Sequence, residues 1–201
     1  MEAAQRIDMR ELFSLPVNQV DELVHLTNPF RKIKLHGAMG KWHLYAVEDK
    51  PQFRTVKIYE YEYEDDKGIL KTYYLPFPYT QFVLLKGPLH FQRHFYVTIT
   101  NSPIKDLLKD QKYFPPLPNI YYDGAVCLGG RYPQSIENAI DLFWMMPFEN
   151  RPEYPWKGPD IIDYKEMSGL DLTTICEIDW PMLALSSGLS RLLRHHLRDF
   201  V

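Results

Sequence analysis

Pro118-Asn119-Ile120-Tyr121-Tyr122-Asp123-Gly124-Ala125-Val126-Cys127-Leu128 is the stretch on which the reading of this chain turns. It is rich in turn formers, and its last residue but one is one of the chain's two cysteines. Pro118 fixes φ, Asn119 favours turns, and Asp123-Gly124 is by itself an ordinary hairpin-turn pair. Gly124 permits positive φ beside the thiol, and a cysteine acts as a nucleophile in its thiolate form when solvent can reach it. A lone cysteine after an apolar residue is more often a small buried hydrophobe, so the surroundings decide.

Upstream, the residues read as strands. Trp42 to Val47, Phe53 to Tyr63, Ile69 to Leu75, Thr80 to Lys86 and Phe91 to Thr100 are rich in aromatic and β-branched residues, and Tyr59-Glu60-Tyr61-Glu62-Tyr63 alternates with period two. Asp65-Asp66-Lys67-Gly68 supplies turn chemistry for a hairpin, and Gly87-Pro88 joins the last two runs. The connections are too short for crossover helices, so an antiparallel meander of about four strands is expected.

Downstream, Ser135 can cap a helix in which Ile136, Ala139, Ile140, Phe143 and Trp144 share one face. Pro147, Pro152, Pro155 and Pro159 then predict irregular chain, with a short helix over Asp160 to Met167. Leu185, Leu189, Leu192, Leu193 and His196 give Met182 to Leu197 one apolar face, which predicts a docking helix. In the first 40 residues, Leu12, Phe13, Leu15, Val20, Leu23, Val24 and Leu26 suggest short helical pieces broken by Pro16 and Pro29. The expected class is α+β: residues 1–41 an N-terminal extension, partly helical; 42–156 the core; 157–201 a C-terminal helical segment packed on it.

Composition narrows the function. A formal charge of −3 gives no electrostatic reason to expect nucleic acid. The local basic run Arg31, Lys32, Lys34, His36 and Lys41 reads as a solvated surface or a docking patch for an acidic partner. No apolar run approaches the roughly 18 residues that cross a bilayer, and the mixed start Met1-Glu2-Ala3-Ala4-Gln5-Arg6 is unlike a signal peptide, so a cytoplasmic protein without a membrane partner is expected. Two cysteines are too few for a disulfide framework or a Cys-based zinc site. His90 and His94, at strand spacing, would stand about 13 Å apart, too far for one metal, and His195 and His196 face different ways. No phosphate loop, nucleophile elbow or dinucleotide fingerprint occurs.

A meander, a proline-bounded loop, a Cys and an amphipathic helix, in that order, resemble the ubiquitin-conjugating E2 proteins. The family's active-site segment reads His-Pro-Asn-Ile, three residues, Gly, two residues, Cys-Leu; Pro118, Asn119, Ile120, Gly124, Cys127 and Leu128 stand at those positions, with Leu117 in place of the His. Tyr113-Phe114-Pro115-Pro116 resembles a shortened proline-rich approach to it, and Val126-Cys127-Leu128-Gly129-Gly130 is similar to the divergent plasmid and phage E2-like group. The resemblance spans about residues 42–156.

It implies a thiol, Cys127, that accepts a ubiquitin-like modifier as a thioester and passes it to an amine or another thiol. Its implied partners are an E1-like activating enzyme, the ubiquitin-like protein and an acceptor protein, with no metal or organic cofactor. Asn119 would donate to the oxyanion or else hold the loop, and Asp160 would orient the attacking amine, with Glu149 and Glu153 as competitors. Pro118, Tyr122, Asp123, Gly124, Leu128, Gly129 and Gly130 would shape the loop. The rival from another class is an inactive E2-like binding or structural module in a phage- or plasmid-encoded assembly.

Overall fold

The computed structural model describes residues 26–39, 42–61, 68–86, 91–105, 110–121, 124–126, 128, 133, 135–150 and 163–180. Within them the chain is α+β: seven strands, β1 (Arg31–Met39), β2 (Trp42–Asp49), β3 (Gln52–Glu60), β4 (Ile69–Phe77), β5 (Tyr79–Lys86), β6 (Phe91–Thr100) and β7 (Pro147–Asn150), and three helices, α1 (Ile136–Met145), α2 (Tyr164–Ser168) and α3 (Leu172–Ile175). They form a four-stranded sheet ordered β1-β2-β5-β6 and a three-stranded sheet ordered β4-β3-β7.

The two sheets grow from one ribbon. Asp49 pairs with Thr80 and Gln52 with Phe77, so a single antiparallel register runs from β2/β5 into β3/β4. Lys50-Pro51 on one side and Pro78 on the other interrupt it, because proline cannot donate to a ladder. The middle hairpin of the meander is thereby carried out of the first sheet and becomes most of the second.

Three sequence expectations need correction. Strand structure starts at Arg31, not Trp42, since β1 pairs antiparallel with β2 from Arg31↔Asp49 to Met39↔Trp42. Pro147–Asn150 is not irregular: it runs parallel to β3 with Phe148 beside Ile58. The helix expected over Asp160 to Met167 forms over Tyr164–Ser168, where Asp163 accepts from the Lys165 N–H as N-cap. The pieces expected before residue 26 and the helix expected over Met182 to Leu197 lie outside the described residues.

A single core joins both sheets to α1. Val56 and Ile58 of β3, Leu75 and Phe77 of β4, Phe82 and Leu84 of β5, and Phe95, Val97 and Ile99 of β6 are buried against the apolar face of α1. Each such side chain contributes roughly 1.5–3 kcal/mol by leaving water. α1 forms where its periodicity predicts, with Ser135 accepting from the Asn138 N–H and Ile136, Ala139, Ile140, Phe143 and Trp144 buried. Met167, Ile175 and Trp180 extend the core through the C-terminal part of the described chain.

Charge is also buried. The Arg31 side chain has no exposure, and its Nε lies 3.0 Å from Asp49 and its Nη1 2.8 Å from Asp141 of α1. Arg54 reaches Asp49 at 2.6 Å and stacks over Trp144 at 4.9 Å from the ring centre. Lys34 pairs with the buried Glu48 at 3.0 Å. Two members of the basic run are therefore internal ties, while Lys32 is exposed. At the entry of α1, the Glu137 carboxylate accepts from the Thr27 N–H at 2.8 Å, its hydroxyl at 2.9 Å and the Asn28 N–H at 3.1 Å. Burial acts to raise the Glu137 pKa, but these bonds and Arg31 outweigh it and hold the carboxyl below its usual range.

On the inner side of the second sheet, Glu60 accepts from Lys71 and from the Tyr73 hydroxyl, and the Tyr73 ring lies 5.3 Å from that of Tyr164. Burial first, then the Glu60 hydrogen bond and charge, push the Tyr73 phenol up to about 12. Because the folded value is raised, its contribution to stability is complete below an ordinary phenol's pKa of about 10 and is lost as pH rises from there to the folded value. Unfolding by denaturant at a series of alkaline pH values should show this fall, and Tyr73→Phe should lose that part of it.

Candidate functional site

Tyr113, Gly124, Ala125 and Val126 are tied by their backbone to the outer edge of β6. Tyr113 exchanges two hydrogen bonds with Ile99, at 3.0 and 2.9 Å. Further on, the Val97 N–H donates to Gly124 O and the Val126 N–H to Phe95 O, both at 2.8 Å. Between these attachments Ile120 bridges Val126, the Tyr121 N–H donates to Ala125 O, and the Gly124 N–H donates back to Tyr121 O. This is the bonding of a short hairpin closed by a glycine in the left-handed region, and Gly124 has φ 85°.

Asn119 takes the other left-handed position, with φ 64°. Asparagine is among the few non-glycine residues that adopt this conformation readily. Its Oδ1 accepts from the Glu149 N–H of β7 at 3.3 Å. The loop is thus fastened to both sheets, to β6 by its main chain and to β7 by this amide. Of the two roles open to Asn119 from the sequence, the one observed is holding the loop.

The approach is apolar. Leu117, where the family motif has His, is 3% exposed and packs into the core, and its N–H donates to Pro115 O at 2.8 Å. Ile120 and Val126 are buried, Pro118 is half-buried, and Leu128 packs against the core from a partly buried position. Cys127, Tyr122, Asp123, Gly129, Gly130, Asp160 and Glu153 lie outside the described residues. Glu149, the other competitor for the acid–base role, meets Asn119 through its main-chain N–H. The sequence carried little signal for that contact, because β7 has four residues and begins on a proline.

The second cysteine separates itself from this chemistry. Cys176 caps the end of α3 as a free, half-buried thiol, and burial, with the Glu177 carboxylate, pushes its pKa up. It has less thiolate at neutral pH than an ordinary cysteine, the reverse of what a nucleophile needs. Among the described residues no group of three or more His, Cys, Asp or Glu side chains could hold a metal, and no helix is long and apolar enough to cross a membrane.

Comparison of the chain with models of known protein families, with curated proteins and with solved structures finds no match.

Proposed function

We propose that this chain is an E2-like carrier that accepts a ubiquitin-like modifier on Cys127 and passes it to an amine or thiol. The observation that carries the reading is local. The Asn and the Gly of the resembling segment, Asn119 and Gly124, are the two positive-φ residues among those described, and the hairpin they bracket is fastened to both sheets. An antiparallel meander before it and an amphipathic helix after it support the same reading.

The chemistry asks little beyond positioning. The Cys127 thiolate attacks the thioester carbonyl of the loaded activating enzyme, a tetrahedral oxyanion forms, and the enzyme's own thiolate leaves. An acceptor amine then attacks the Cys127 thioester, loses a proton and expels the Cys127 thiolate. With Oδ1 held by β7, the Nδ2 end of Asn119 is the end chemically able to donate to the oxyanion. Asp160 is assigned the orientation of the amine, so Asp160→Asn should slow discharge to lysine without slowing charging.

The test is a charging reaction with ATP and a panel of E1-like activating enzymes, each with its ubiquitin-like protein. The wild type should form a thiol-sensitive adduct, Cys127→Ala none, Cys127→Ser an ester that survives thiol treatment, and Cys176→Ser an adduct like the wild type. If a demonstrably active E1-like enzyme charges nothing, the carrier reading fails and the chain is an inactive binding module.

A further inference from the structure

Among the described residues, the two edges of the three-stranded sheet differ. On the β7 side the Glu149 N–H is taken by Asn119. On the other side β4 is the end strand, and among the described residues Leu70, Thr72 and Tyr74 make no backbone hydrogen bond beyond the β3 ladder. Ile69, Leu70, Lys71 and Thr72 are exposed, as is Tyr74. Apolar exposure concentrates here too: Ile69 is 53%, Leu70 45% and Tyr74 60% exposed.

An open strand edge is a template for another strand, and proteins ordinarily blunt it with charge, proline or a covering segment. Among the described residues, α2 and α3 pack against β4 on the side of Tyr73, where its ring meets Tyr164, and the side that carries Leu70, Thr72 and Tyr74 has little such protection. The one charged residue of β4, Lys71, is paired with Glu60, and its proline, Pro76, stands near the buried end. Tyr74 is instead held ready by stacking on Phe53, with ring centres 5.0 Å apart.

We propose that β4 pairs antiparallel with β4 of a second copy of this chain, across a two-fold axis at Thr72. The sequence of the strand selects both this occupant and this register. With Thr72 opposite Thr72 of the second copy, Leu70 falls opposite Tyr74 in both directions, on the exposed face, and Lys71 falls opposite Tyr73. Threonine pairs and aliphatic–aromatic pairs are favourable across strands. Centring on Lys71 would set two like charges face to face. The pairing joins two three-stranded sheets into one of six, and because a two-fold contact uses the β4 edge of both copies the association closes at two. It is independent of any chemistry at Cys127.

Sedimentation equilibrium of the full chain at increasing micromolar concentrations tests it. The mass should approach twice that of the chain, and Thr72→Lys, which opposes two charges at the axis, should return it to one. Leu70→Lys repeats the test at a second exposed position, and the melting temperature of each variant reports whether it is folded. In a Cys127→Ser, Cys176→Ser background, Thr72→Cys should form a 72–72 disulfide under mild oxidation, since directly opposite Cα atoms of an antiparallel pair stand about 4.5–5.5 Å apart, within the span a disulfide bridges. A monomer at every concentration, a dimer that survives both lysine variants while folded, or a dimer without the cross-link would overturn the proposal.

Discussion

Arg31→Met should lower the stability of the fold by about 3–5 kcal/mol, the usual cost of removing one partner from a buried ion pair. Methionine keeps most of the aliphatic volume, so the loss comes from charge. Without Arg31, Asp49, whose side chain is 1% exposed, keeps Arg54 as its one cationic partner among the described residues, and Asp141 and Glu137 lose the guanidinium that ties α1 to β1. Burial already pushes the Asp49 carboxyl up more than Arg31 and Arg54 pull it down, so removing one guanidinium pushes it further. A carboxyl with a raised folded pKa is favoured protonated in the fold, so the deficit should narrow as pH falls through that value. Urea unfolding of wild type and variant at neutral and mildly acidic pH gives both numbers. Asp141→Asn is the comparison: that side chain is 48% exposed, and its loss should cost under about 1 kcal/mol. If Arg31→Met were no worse than Asp141→Asn, the buried cluster would not be holding the sheet to the helix.

Arg31 also marks where the sequence stopped being legible. A run of Arg31, Lys32, Lys34 and His36 reads as solvated because lysine and arginine are rarely buried unless paired. Here two of them are paired, and their partners Asp49 and Glu48 stand on the next strand, invisible to any local pattern. Richness in aromatic and β-branched residues, by contrast, is a local property, and it located β2 to β6 to within a few residues. The bend of the ribbon was half-legible: Pro51 and Pro78 announce a break, but only the continuous register from Asp49↔Thr80 to Gln52↔Phe77 shows that they break the same hairpin from opposite sides. β7 was hidden because parallel pairing joins residues about ninety positions apart, Lys57↔Pro147 to Glu60↔Asn150.

In the candidate site, what could be read was conformational. Asn119 as a turn former and Gly124 as a hairpin glycine follow from their side chains alone, and both adopt positive φ. What could not be read was attachment. Nothing near Asn119 in the sequence points to the Glu149 N–H, which depends on α1 returning the chain beside β3. The loop's position is therefore a tertiary property, set by whatever fixes β6 and β7 relative to α1.

Phe143 is that fixture, and Phe143→Ala should cost about 3–5 kcal/mol. The ring is fully buried and meets Phe82, Phe95, Trp144 and Phe148 edge-on, with centres 4.9–5.9 Å apart. Two of those rings lead to the loop. The Phe95 carbonyl receives the Val126 N–H, and Phe148 precedes Glu149, whose N–H reaches Asn119. Truncating Phe143 leaves a cavity between the strands that carry both attachments, so the damage should not be uniform. Native-state hydrogen exchange should show the Val126 and Glu149 amides losing more protection than amides of the β1/β2 pair, whereas a purely global loss would lower only amides that exchange through full unfolding. Phe143→Leu fills most of the space and should cost less, with the Val126 and Glu149 amides close to wild type. Equal loss of protection across both sheets in Phe143→Ala would mean that the loop is held by its own hairpin bonds and not through the aromatic cluster.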